Sequence, residues 1–132
     1  MDDNRGTIMN RERKRQINEF EGLRWGNITP TDMDGLIDFH NKAWIMMEFK
    51  YKDIELPDGQ LLAFERQCDD LQKAKPTIFI IGRHAVDPPS DDVYAADVIV
   101  DRFRYRGVWY EDASPVTVKD KIDSFLKFKG LL

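Results

Sequence analysis

Two carboxylates and a lysine lie in a pattern that could bind a metal ion beside a phosphate ester. Asp34 precedes one strand-like run, and Glu48 and Lys50 occupy alternate positions near the end of the next. If the turn between the runs centres on Asn41, Asp34 lies directly opposite Glu48, with Cβ atoms about 4.5–5.5 Å apart. Carboxylates at that distance repel unless a proton or a cation lies between them. A hard cation such as Mg²⁺ suits this pair, and Lys50 could orient or deprotonate a water molecule there.

The same residues also have plainer interpretations. Asp34 could simply belong to a turn before the strand, and Glu48 and Lys50 could form an exposed ion pair on the sheet surface. Asp32 is a competing candidate for the acidic position, but it lies two residues further from Glu48 in the hairpin register and ranks second. Because a one-residue change of register would separate the carboxylates, the metal-site hypothesis depends on the hairpin.

Hydrophobic periodicity predicts helices and strands in alternation around this hairpin. Residues 77–82 form a continuous apolar run, which is typical of a strand buried on both faces. Helices interleaved with strands indicate an α/β fold. The predicted elements, in chain order, are a helix at 11–23, a hairpin of strands at 35–39 and 43–51, a helix at 60–74, strands at 77–82, 98–106 and 108–111, and a helix that begins after Thr117.

Capping patterns and apolar stripes define the two later helices. Asp58 is placed to cap the helix at 60–74, and Thr117 with Asp120 resembles a capping box at the start of the last helix. Each helix has one apolar stripe that would face the sheet. The stripes comprise Leu61, Leu62, Phe64, Cys68 and Leu71 in the first helix, and Val118, Ile122, Phe125 and Leu126 in the second.

Length and composition indicate a single domain over residues 1–132, with residues 1–8 flexible. The chain has 132 residues, of which 42% are hydrophobic and 33% charged, and this suits one domain with a core. It has no apolar run of the ~20 residues needed to span a membrane and no secretory signal, so we expect a cytoplasmic protein. A net charge of −4 argues against nonspecific DNA coating but not against a metal-dependent nuclease, which itself needs carboxylates.

Around the hairpin, the sequence resembles the PD-(D/E)XK nuclease superfamily, and in particular small Holliday junction resolvases and phage-encoded nucleases. The resemblance rests on the run Thr31-Asp32-Met33-Asp34-Gly35, on the triplet Glu48-Phe49-Lys50 and on the element order over roughly residues 10–85. The residue before Asp34 is methionine rather than the proline of the family pattern. The resemblance implies a restriction-endonuclease-like αβββαβ core with a mixed central sheet, extended here by C-terminal strands and a C-terminal helix, in a bacterial or phage-infected cell.

The resemblance also implies roles for individual residues. Asp34 and Glu48 would bind Mg²⁺ or Mn²⁺ together with the Phe49 carbonyl, and Lys50 would position the water that attacks a phosphodiester bond. Gln60 is a further candidate, because a polar residue in this region of related nucleases often orders the lysine or contacts the substrate.

Many members of the superfamily also have a glutamate on the first helix. With Ile17 and Phe20 as the inward stripe, Glu21 lies closer to the centre of the stripe than Glu12 or Glu19 does, so Glu21 is our choice. His84, just after the buried strand, is a weaker candidate for a catalytic role.

Basic residues indicate a path for a nucleic-acid backbone. Arg102, Arg104 and Arg106 alternate with aromatic residues, so their guanidinium groups would share one strand face, and Arg13 and Lys52 could extend the path. The alternative is a solvated strand face whose cations oppose aggregation. The resemblance implies DNA as the partner and a homodimer, for which apolar residues near Trp109 and Leu131–Leu132 could supply an interface.

Two functions of different classes follow from these observations. The first is a metal-dependent DNA endonuclease, selective for branched DNA such as Holliday junctions. The second is a catalytically silent module with a nuclease fold that binds DNA or a protein partner, and the acidic isoelectric point of about 5.2 favours it mildly. Metal binding through Asp34 and Glu48 would distinguish the two.

Overall fold

The computed structural model describes residues 20–132, and the chain divides into two units, residues 1–32 and residues 33–132. The predictions for residues 1–8, Glu12, Arg13 and Glu19 therefore lie outside the described residues. The second unit is a mixed α/β fold in which two helices pack against a five-stranded sheet. Among the described residues, none of the helices has the length and apolar character that crossing a membrane requires.

The sheet has the strand order β1-β2-β3-β4-β5, and only the β2–β3 pair is parallel. Helix α1 joins the two parallel strands, as such a crossover requires. The strands are β1 (Gly35–Phe39), β2 (Ala43–Tyr51), β3 (Thr77–His84), β4 (Ile99–Tyr105) and β5 (Val108–Tyr110), and the helices are α1 (Asp58–Gln72) and α2 (Val118–Phe128), with a short 3₁₀ helix at Ala95–Asp97.

The predicted hairpin is confirmed in both its bounds and its register. Gly35 pairs with Met47, and Phe39 pairs with Ala43, so the turn centres on Asn41. His40 and Asn41 both adopt positive φ angles of 52° and 60°, which suits a tight turn whose twist matches that of the strands. The alternation of half-buried and exposed residues along β1 fixes this register, because a slip by one residue would turn the half-buried side chains to the exposed face.

Strand β3 forms the centre of two hydrophobic cores, one on each face of the sheet. Its residues from Thr77 to Gly82 are all buried, as their continuous apolar run predicts. Ile78 and Ile80 face the core that includes α2, whereas Phe79 and Ile81 face the core that includes α1. The fold is therefore a three-layer arrangement, with one helix on each side of the sheet.

Helix α2 confirms its predicted cap and apolar stripe, whereas the start of α1 differs from the prediction. The Thr117 hydroxyl accepts a hydrogen bond from the Asp120 N–H at 3.2 Å. In α1, Pro57 occupies the N-cap position and Asp58 is already helical, so Asp58 is not the cap. Because proline needs no hydrogen-bond acceptor for its nitrogen, it tolerates this position. Leu62 is 44% exposed and lies outside the buried stripe.

The first predicted helix does not extend to residue 23. Residues 20–23 form a turn in which the Leu23 N–H donates to the Phe20 carbonyl, and Gly22 has a φ of 89° that is incompatible with a right-handed helix. Trp25 and Ile28 then form an isolated antiparallel bridge. Within residues 20–132, two strands precede the crossover helix, where the αβββαβ order requires three.

Cys68 lies on the buried face of α1, and its burial predicts a low reactivity of its thiol. Burial raises the pKa of the Cys68 thiol to about 12, and the neighbouring Asp69 carboxylate adds to the effect. Because the thiolate is the nucleophile, alkylation of the folded protein by iodoacetamide at pH 8 should be about 10³-fold slower than in urea. Mass spectrometry of timed aliquots measures both rates, and equal rates would contradict the burial of Cys68.

Candidate functional site

The hairpin register places Asp34 across from Glu48, as the sequence predicts. Asp34 immediately precedes Gly35, which pairs with Met47, so the next pair of positions is Asp34 and Glu48. The Asp34 Oδ2 atom accepts a hydrogen bond of 2.8 Å from the Phe49 backbone N–H. This carboxylate therefore replaces a backbone acceptor at the end of the β1–β2 ladder and is held beside the Glu48-Phe49-Lys50 triplet.

Glu48 and Lys50 lie on the face of the sheet that also packs against α1. Met46, on the same face of β2, belongs to the core beneath α1, and the alternation of side chains continues to Glu48 and Lys50. Glu48 is only 2% exposed, which is unusual for a carboxylate because burial of a charge is costly. Lys50 is half-buried, and within residues 20–132 its ammonium group forms no hydrogen bond or ion pair.

The donor atoms of this site suit a hard divalent cation. Asp34 and Glu48 offer carboxylate oxygens, and the Phe49 main chain between Glu48 and Lys50 supplies a carbonyl close by. In the part of the chain that the structure describes, no cluster of three or more His, Cys, Asp or Glu side chains could hold a metal. A two-carboxylate set nevertheless fits Mg²⁺, which commonly keeps several water ligands and takes the rest from substrate phosphates.

The other residues predicted for catalysis lie outside the β1–β2 hairpin. Gln60 is in the first turn of α1 and is partly buried. Glu21 is exposed in the turn at residues 20–23, which belongs to the first unit of the chain, and it is not on a helix. Asp32 is exposed and ends that unit. The structure brings together Asp34, Glu48 and Lys50 from the predicted set.

The three arginines of β4 and the β4–β5 turn, Arg102, Arg104 and Arg106, have different environments. Arg104 donates two hydrogen bonds to Asp69, at 2.9 and 2.7 Å, and a third to Glu65 at 3.3 Å. These hydrogen bonds from the Arg104 guanidinium hold the pKa of the Asp69 carboxyl below its usual value. Arg102 stacks on the Trp109 ring with its guanidinium carbon 4.4 Å from the ring centroid, and Arg106 lies in the β4–β5 turn with a φ of 53°.

Arg83 is a residue of this region that the sequence did not indicate. Its side chain donates to the carbonyls of Lys52 and Ile54 and forms ion pairs with Glu55 and Asp101. Arg83 thereby anchors the segment that follows the Glu48-Phe49-Lys50 triplet. Nothing in its sequence context distinguishes it, because all of its partners are at least 18 residues away. Lys52 belongs to this anchored segment and is exposed, and its Nζ atom lies 4.0 Å from Oδ2 of Asp87.

His84 lies on the opposite face of the sheet from Lys50. It pairs with Tyr51 in the parallel ladder, and side chains alternate along both strands. The His84 Nδ1 atom accepts a hydrogen bond from the Val86 N–H, and the ring lines a cavity of about 340 Å³ with Tyr94 and Val98 among its walls. His84 is therefore separated by the sheet from the Asp34 and Glu48 carboxylates.

We compared the chain with protein-family models, curated proteins and solved structures, and none of them matches it.

Proposed function

We propose that this chain is a divalent-metal-dependent nuclease of the PD-(D/E)XK type that hydrolyses phosphodiester bonds in DNA. The observation that carries the proposal is the position of Asp34 across the β1–β2 hairpin from the buried Glu48 carboxylate. Carboxylates on facing positions repel each other, and a divalent cation bound between them would offset that repulsion.

The residues of the hairpin have different roles in the proposed reaction. Asp34 and Glu48 would hold Mg²⁺ or Mn²⁺, and the Phe49 carbonyl would be the third protein ligand. When bound, the metal neutralises charge on the phosphate and lowers the pKa of a bound water. Lys50, whose ammonium group has no carboxylate partner among residues 20–132, would orient the attacking water and stabilise the negative charge that builds up on the phosphate.

The proposed substrate is branched DNA, and the proposed oligomeric state is a homodimer. Two strands must be cut in a four-way junction, so paired active sites would suit such a substrate. Leu132 is 61% exposed at the C-terminus and could contribute to an interface between two copies, whereas Trp109 packs against the core beneath α1 and Leu131 against the one that includes α2. The phosphate backbone would be contacted by cations of the α1 face of the sheet.

The test is cleavage of labelled linear, single-stranded, flapped and four-way DNA with Mg²⁺, Mn²⁺ or EDTA. We expect metal-dependent cutting that disappears in Glu48→Gln, which conserves side-chain volume and removes the charge. Glu111→Gln makes the same change at an exposed position and should cut at the wild-type rate. If the wild type binds one of these DNAs and cuts none, the catalytic proposal is wrong and the chain is a binding module.

A further inference from the structure

The Trp109 ring lies close to the side chains of two arginines on the α1 face of the sheet, and these two arginines have different partners. Arg102 is 4.4 Å and Arg104 is 5.7 Å from the ring centroid, measured from each guanidinium carbon. The indole N–H donates to Glu65 at 2.7 Å, and the ring also packs against Phe79. Trp109 is therefore fixed at its polar edge and on its apolar side, and it offers Arg102 a rigid surface.

Two acidic residues of α1, Glu65 and Asp69, are bound to Arg104. Asp69 receives two hydrogen bonds from its guanidinium, and Glu65 receives one from Arg104 and another from Trp109. The Arg104 side chain is only 13% exposed, so its charge is matched within the protein. Arg104 thus links α1 to β4, and its guanidinium is held by two carboxylates of the protein, which makes it a weak candidate for binding a ligand anion.

Arg102 is different, because its guanidinium has no carboxylate partner within residues 20–132. Its neighbour in sequence, Asp101, is bound by Arg83 at 3.3 Å. Stacking on an indole holds the guanidinium plane while leaving its N–H edge available for hydrogen bonds. Arg102 also lies in the same row across the sheet as Glu48, since both pair with Ile81 of β3.

We propose that Arg102, held on the Trp109 ring, binds a backbone phosphate of the DNA substrate, whereas Arg104 serves the fold alone. A planar guanidinium matches two phosphate oxygens, and prior stacking reduces the entropy lost on binding. Arg102 and Lys50 are then the two cations on the Glu48 face of the described sheet that could contact phosphates. The choice of DNA rests on the proposed function, but phosphate binding by Arg102 does not require cleavage.

The experiment measures the affinity of the full chain for a fluorescent DNA duplex in EDTA, over a range of salt concentrations. Arg102→Gln should weaken binding about tenfold at low salt, as expected for the loss of one hydrogen-bonded charge. It should also reduce the slope of log affinity against log salt by about 0.9, the value for one phosphate contact on duplex DNA. Arg66→Gln, which removes the same charge from an exposed position on α1, should change neither quantity.

A second variant separates phosphate contact from a structural effect. Arg102→Lys keeps the charge and loses the planar fork, so it should retain the salt slope while binding several-fold more weakly. If Arg102→Gln and Arg66→Gln bind alike, or if the slope is unchanged in Arg102→Gln, the proposal is wrong. It is also wrong if the wild type does not bind the duplex. Arg102-dependent binding without cleavage in Mg²⁺ or Mn²⁺ would instead support this proposal and overturn the nuclease.

Discussion

The substitution Asp34→Asn is expected to slow the proposed metal-dependent cleavage by orders of magnitude while leaving the fold intact. The Asp34 carboxylate accepts a hydrogen bond from the Phe49 N–H at 2.8 Å, and an amide oxygen can accept the same bond. The negative charge is lost, however, and with it one of the two proposed carboxylate ligands of the metal. We expect the cleavage rate to fall by roughly 10²–10³-fold, because a bound metal contributes several kcal/mol of transition-state stabilisation.

The matched variant Asp34→Ala removes both the charge and the hydrogen-bond acceptor. It should be as inactive as Asp34→Asn but less stable by about 1 kcal/mol, since the Phe49 N–H loses its partner. Urea unfolding measures the stability of each variant, and titration calorimetry with Mn²⁺ measures the loss of metal binding. Full activity in Asp34→Asn would show that Asp34 only completes the β1–β2 ladder.

The second large effect is expected for Gly82→Ala, and it is an effect on the stability of the fold rather than on catalysis. A Cβ atom at this position would lie 2.7 Å from Val98 Cγ1 and 3.0 Å from Phe49 Cδ1. The register of β4 shifts between Ile81 and Gly82, where Val98 approaches the backbone of β3. Because valine cannot rotate away freely in a packed core, Gly82→Ala should lower the free energy of unfolding by about 2–3 kcal/mol.

Gly59→Ala is the matched control for Gly82→Ala. Gly59 lies in the first turn of α1, and a Cβ atom there meets no other atom within 4 Å. The same substitution should therefore stabilise the protein by about 0.5 kcal/mol, since alanine restricts the unfolded chain and favours the helix. Adding Val98→Ala to Gly82→Ala should recover part of the lost stability. If the double variant loses as much stability as Gly82→Ala and Val98→Ala lose in sum, the side chains at positions 82 and 98 do not clash and the prediction is wrong.

Local patterns in the sequence determined the elements around the site. The alternation of residues 35–51 and the turn at Asn41 fixed the hairpin register, because the two strands are adjacent in the chain and a slip would expose the buried face. The apolar run of β3 and the Thr117 cap of α2 are local in the same way. The facing positions of Asp34 and Glu48 follow from the hairpin alone.

Only the tertiary structure decided which charged groups are available. Arg102 and Arg104 are equivalent in an alternating strand sequence, but Asp69 and Glu65 of α1, more than 30 residues away, bind Arg104 and leave Arg102 on Trp109. The anchoring role of Arg83 and the close contact at Gly82 likewise depend on segments brought together by folding. Sequence periodicity specifies the face on which a side chain lies, whereas its partners are set by the packing of distant elements.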